Sequence, residues 1–334
     1  METSLVGSYP QPEWLVDREK LRGRLPPRVR AADLWKIAPD QLRDAQDAAT
    51  LAAIRDQERA GLDIISDGEI RRESYSNYFV LALDGIDVDH PGQALDRNGN
   101  PMPVPRVSGP IERRGGSILR RDAEFLREAT ERKVKVTVPG PFTMAQQAQN
   151  DHYGSEEEVA FAFADVVRAE VTELFEAGVD IVQLDEPWME SRSEQARAYG
   201  VETLRRALDG VQGTTVLHIC FGYPLFVPGH KRAYRFLGEL AEAPVDQISI
   251  ETAQAELDLE VLQELGDKTI VLGVIALDSD EVESAETVAA RIERALPYTR
   301  NLVAAPDCGM KYLSRAAAFG KLQALVAGAN MVSA

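Results

Sequence analysis

The chain has 334 residues, of which 44% are apolar and 27% charged, enough to bury a large core in one or two domains. Its 54 acidic against 37 basic side chains give a net charge of −17, which argues against a nucleic-acid backbone or an anionic membrane surface as partner. No apolar run reaches the ~18 residues of a transmembrane helix, and Met1-Glu2-Thr3-Ser4-Leu5 lacks the basic-then-apolar layout of a signal peptide. Two cysteines so far apart suit a reducing cytoplasm better than a disulfide scaffold.

Short apolar runs bounded by polar residues predict eight strands, over residues 5–8, 63–66, 134–138, 180–184, 214–220, 247–251, 269–275 and 302–305. Amphipathic stretches between them predict helices over 39–60, 156–177, 201–208, 255–265, 284–295 and 316–327. Gly61 and Gly178 sit in two similar junctions, each expected to end a helix in the left-handed conformation just before a strand. This alternation predicts a single (β/α)8 barrel domain over residues 1–334, with a doubly wound open sheet as the competing arrangement. Two stretches break the rhythm. Residues 10–34 are irregular and proline-rich, and 85–117, with the turn signal Asn98-Gly99-Asn100, predict a hairpin or lid after the second strand.

In such barrels the carboxyl ends of the strands build the site. Here those ends carry Ser8, Asp67 and Glu69, Thr143, Asp185 and Glu186, His218 and Cys220, Glu251, Asp278, and Asp307 and Cys308. Residues two apart on a strand share a face, so His218 and Cys220 point the same way. One imidazole, two sulfurs and the Glu251 carboxylate make a zinc-type ligand set. Simpler readings exist beside it. A buried cysteine commonly packs, a Cys220–Cys308 disulfide is conceivable, and Thr143 and Asp307 equally suit helix caps.

The motifs Val6-Gly7-Ser8, Asp67-Gly68-Glu69, Gly140-Pro141-Phe142-Thr143, Leu184-Asp185-Glu186-Pro187, His218-Ile219-Cys220, Ile250-Glu251-Thr252 and Pro306-Asp307-Cys308-Gly309 occur in order. Together, and across nearly the whole chain, they resemble the catalytic half of cobalamin-independent methionine synthase, in particular its short members that consist of that half alone. The resemblance implies a cytoplasmic zinc methyltransferase that makes methionine, with His218, Cys220, Glu251 and Cys308 as metal ligands. It also implies that Val6, Gly7, Ser8, Glu69 and Asp185 hold homocysteine or another small thiol. Two carboxylates suit its ammonium, and a hydroxyl with backbone N–H groups suits its carboxylate.

Departures from the family pattern gather on the methyl donor. Gln147 stands where folate-using members have a stacking Trp, and Ser191 where they have an acidic residue. Pro105-Arg106 replaces an Arg-Cys pair, and Asp278 stands where they have a proton-donating His. The resemblance therefore implies methylcobalamin or a corrinoid protein as donor, with Asp278 a catalytic candidate or a helix cap. Arg71, Arg72 and Tyr75 follow Glu69 and either shape the pocket or begin an exposed helix. An arginine pair there would also suit the sulfonated thiol of an epoxyalkane:coenzyme M transferase-like enzyme. A metal-free decarboxylase-like lyase and a non-catalytic, zinc-stabilised barrel are the readings from other classes.

Overall fold

In a computed structural model that describes all residues except 24–25, 98, 223–233, 255–256, 300 and 334, the strands form one ring. In chain order they are β1 (Glu2–Thr3), β2 (Ile64–Ser66), β3 (Lys133–Pro139), β4 (Ile181–Asp185), β5 (Thr214–His218), β6 (Gln247–Glu251), β7 (Thr269–Ile275) and β8 (Leu302–Pro306). All neighbours are parallel, in the order β1-β8-β7-β6-β5-β4-β3-β2. A parallel bridge from Ser4 to Ile64 closes the seam between β1 and β2. That closure makes the fold a barrel and disposes of the open sheet.

Sequence pattern explains the layers. Val6, Ile64, Ile181, Val216, Val271, Val303 and Ala305 form a small cluster separate from the larger core between helices and sheet. Lys135 pairs in register with Ile181, so its side chain shares that inward face. Gly61 and Gly178 adopt φ of 94° and 85°, ending the helices Leu42–Ala60 and Glu156–Glu176 as their sequence predicts. Among the described residues, no helix is long and apolar enough to cross a membrane.

Several boundaries differ from expectation, and at three the type of element changes. The first strand runs Glu2–Thr3, and residues 5–8 are a buried extension whose backbone bonds to loops instead of a ladder: Tyr9 N–H to Gly68 O at 2.9 Å and Met310 N–H to Ser8 O at 2.8 Å. The strand expected to reach Cys220 stops at His218, although Ile219 N–H still reaches Ser249 O at 3.1 Å. In place of an α-helix over 255–265 there is a 3₁₀ helix, Leu259–Leu265, begun by Asp258, whose carboxylate accepts the Glu260 N–H; residues 255–256 lie outside the described set.

The interruption after β2 is a long antiparallel hairpin, Leu83–Leu95 with Pro101–Arg113, joined by the short strand Gln149–Asn150. Gly99 takes φ 83° in its turn, where Asp96 N–H meets Asn100 O at 2.8 Å; Asn98 lies outside the described residues. The hairpin tip bends over the carboxyl ends of the strands.

Candidate active site

The ends of β5, β6 and β8 carry the candidate metal-ligating side chains. Ligand atoms of His218, Cys220 and Cys308 all lie within 4.8 Å of one another, and all three residues are buried. Cys308 Sγ is 3.6 Å from His218 Nε2, and His218 Nδ1 is 2.9 Å from the Ser249 hydroxyl. That second contact occupies Nδ1 and leaves Nε2 to face the sulfurs. Contact with Cys308, helped by His218, holds the Cys220 thiol well below its ordinary range. The same contact and burial push Cys308 well above it. Both cysteines are free.

Glu251 ends β6, is 1% exposed, and lies outside that 4.8 Å group. Its Oε1 accepts the Phe221 N–H at 3.1 Å, one residue beyond Cys220. Two further contacts fix this corner. The Glu251 N–H donates to the Tyr234 hydroxyl at 2.8 Å, and that hydroxyl reaches Ile219 O at 3.4 Å. Asp307 accepts the N–H groups of Thr252, Ala253 and Gln254 at 3.1, 2.9 and 2.9 Å, capping the loop after Glu251.

Across the barrel mouth sit the candidate substrate residues. Val6, Gly7, Ser8, Glu69 and Asp185 line the same cavity as His218, Cys220 and Cys308. Glu69 has φ 53°, a left-handed position uncommon for a non-glycine residue, steadied by its N–H to Asp67 Oδ1 at 3.0 Å. Its Oε1 accepts the Thr137 hydroxyl at 2.9 Å, and a Cβ on Gly7 would come within 2.6 Å of that same oxygen. Position 7 is therefore glycine because Glu69 needs the space. Asp185 accepts the Gln183 amide N–H at 2.8 Å, and burial pushes its carboxyl up to about 7. Beneath them, burial pulls the Lys135 ammonium down to about 7, against the pull of Asp185 and Glu69.

Other strand-end residues are scaffold. Glu186 accepts the N–H groups of Phe142 and Thr143 at 2.9 and 2.7 Å, capping the helix Pro141–Gln146. The Thr143 hydroxyl accepts the Trp188 N–H at 3.3 Å. Asp278 is exposed and is not among the described residues lining the cavity, so the structure does not bring it to the metal-ligating group. The arginine pair also departs from expectation. Arg72 is 1% exposed, not the start of an exposed helix, and donates to Thr137 O and Oγ1 at 3.0 and 2.9 Å. Arg71 turns away to Asp47 at 2.8 Å, and neither arginine lines the cavity. Arg106 pairs with Asp151 on the hairpin. Tyr75 does line the cavity, with the Gln147 amide donating to its hydroxyl at 2.7 Å.

Sequence reasoning passed over Ser249, Trp188 and the hairpin-tip residues Arg97 and Met102, the last three of which line the cavity. For Ser249 a signal existed: it lies two before Glu251, on the face that already carried a ligand candidate.

Residues 1–331 match the family model described as "Cobalamin-independent synthase, Catalytic domain". The chain is 31% identical over 340 residues to a methionine synthase of Saccharolobus solfataricus, covering 99% of this chain and 95% of that protein. A methionine synthase of Thermococcus kodakarensis is 32% identical, with 99% and 93% covered. Among solved structures, a B12-independent methionine synthase from Shewanella sp. W3-18-1 in complex with selenomethionine has a TM-score of 0.90 at 33% identity, with 99% and 97% covered. A methyltransferase from Methanosarcina mazei, at 16% identity and TM-score 0.63 with 100% and 95% covered, shares the fold.

Proposed function

The chain belongs to the family of cobalamin-independent methionine synthase catalytic domains, and on that premise we propose that it is a zinc-dependent thiol S-methyltransferase that makes methionine from homocysteine with a corrinoid-type methyl donor. The observation that carries this reading is one buried cavity shared by His218, Cys220 and Cys308 on one side and by Ser8, Glu69 and Asp185 on the other.

A zinc ion held by His218, Cys220 and Cys308, with Glu251 as fourth ligand, would supply the Lewis acidity that yields a thiolate near neutral pH. The donor set fits such an ion: one imidazole already oriented by a hydroxyl, and two free, buried sulfurs within 4.8 Å of it and of each other. Glu69 and Asp185 bind the α-ammonium of homocysteine. The Ser8 hydroxyl, buried without a hydrogen-bond partner, is available to its α-carboxylate. So anchored, the side chain of the substrate extends toward His218, Cys220 and Cys308. The sulfur–methyl bond then forms as the methyl–carrier bond breaks, and the electron pair stays on the carrier. The hairpin tip, through Arg97 and Met102, forms one wall of the cavity. The Shewanella relative, solved with selenomethionine, supports an amino-acid product.

Two placements favour the corrinoid donor over a folate. Gln147 is engaged with Tyr75 where folate-using relatives carry a stacking ring, and Asp278 is exposed where they carry a proton donor. A carrier that departs without being protonated needs neither. The test is a donor panel with homocysteine and zinc-loaded enzyme: methylcobalamin, 5-methyltetrahydrofolate, and an epoxide with coenzyme M. We expect turnover with methylcobalamin well above the other two, and loss of zinc and activity together in Cys308→Ser. Full activity after the metal is removed, or turnover with the epoxide alone, overturns the reading.

A further inference from the structure

On the hairpin side of the cavity two buried hydrogen-bond donors, Trp188 Nε1 and Arg28 Nε, lack acceptors. Trp188 is 2% exposed and lines the cavity, and its indole N–H has no hydrogen-bond partner. Arg97, at the hairpin tip, places its guanidinium 5.5 Å from the Trp188 ring centroid and donates to Pro187 O at 2.6 Å. Arg28 lies 4.9 Å from the Tyr75 ring centroid, and its buried Nε–H is likewise without a partner. The acidic residue on this side, Asp96, accepts the Asn100 N–H at 2.8 Å within the turn. A buried donor left without an acceptor is costly, so this wall gains by meeting one. The substrate residues Glu69 and Asp185 are acceptors, the opposite chemistry.

Resting on the methyltransferase reading above, we propose that Trp188, Arg97 and Arg28 form the recognition surface for the methyl donor, through oxygen acceptors on the donor's edge. Amide carbonyls, carboxylates and phosphates all offer that chemistry. A corrinoid with its amide rim and phosphate has it, and so does a folate with its carboxylates. The arginines supply charge-assisted, directional bonds and the indole N–H a single fixed one.

Equilibrium dialysis of methylcobalamin and of 5-methyltetrahydrofolate against zinc-loaded wild type, Arg97→Gln and Trp188→Phe tests this. Trp188→Phe keeps a ring and removes the N–H; Arg97→Gln changes only the lid tip. We expect the dissociation constant of the bound donor to rise about tenfold in Arg97→Gln and severalfold in Trp188→Phe. Homocysteine affinity and zinc content stay within twofold of wild type. If wild type binds the folate and not methylcobalamin, the corrinoid reading falls, while weakening of the folate by both variants still upholds the surface proposed here. Donor affinity unchanged in both variants, parallel loss of homocysteine or zinc, or binding of neither donor by wild type overturns it.

Discussion

His218 owes its aim to one hydroxyl. Ser249 holds Nδ1 at 2.9 Å, which orients the ring so that Nε2 meets Cys308. Removing such a partner typically costs 10–100-fold in metal affinity. We expect Ser249→Ala to lose zinc to a competing chelator at about that ratio while keeping its thermal midpoint, which a chelator titration beside a melting curve will show. Unchanged affinity would mean that the ring is held by packing alone. At this scale the sequence was informative where chemistry is rare. One imidazole and two sulfurs at strand ends stand out in a chain with 4 histidines and 2 cysteines. Ser249 and Trp188 did not stand out, because serine and tryptophan are ordinary strand and core residues until their neighbours are known.

Loops after strands acquire their shape from caps supplied by other strands. Asp307, from the end of β8, gathers three N–H groups of the loop after β6, and so fixes the backbone just beyond Glu251 although 55 residues separate Asp307 from Thr252. Asp307→Ala strands those three donors, and we expect roughly 3 kcal/mol of lost stability in urea unfolding, with zinc weakened as a consequence. A loss within experimental error would show that the loop holds its own shape. Asp307 was read as a possible helix cap; the capping chemistry was legible, its long-range target was not. The segment ending at residue 265 teaches a related lesson. Its buried leucines, Leu259, Leu262 and Leu265, fall every third residue, which suits a 3₁₀ turn and not the 3.6-residue period of an α-helix. The hairpin was legible from its glycines and prolines, yet its reach over the strand ends was not, since nothing local specifies where a ribbon leans.

At the level of the whole fold, burial of acids ties stability to pH. Burial pushes Glu186 from 4.5 to about 8, so the folded state holds a proton that the unfolded chain releases above about 4.5. Its contribution is fully present below 4.5 and is lost as pH rises through 8. Metal-free wild type should therefore lose stability relative to Glu186→Gln across that window, measured by urea midpoints at several pH values. A constant difference between the two proteins would refute the buried, proton-holding carboxyl. The barrel itself was legible throughout, because eight repeats of strand and helix leave few alternatives.

The seam of the ring has a consequence for assembly. β1 is two residues long and is held by β8 and by the lone bridge from Ser4 to Ile64, while Ser8 is tied to Met310. Residues 6–8, proposed to meet the amino acid, are thus held from two sides: Gly7 O by the Ser66 hydroxyl at 3.1 Å, and Ser8 O by a residue some 300 positions downstream. One short stretch after β8 therefore carries both Cys308 and the Met310 N–H that grips Ser8, so the tail of the chain joins the proposed metal group to the segment that opens the sequence.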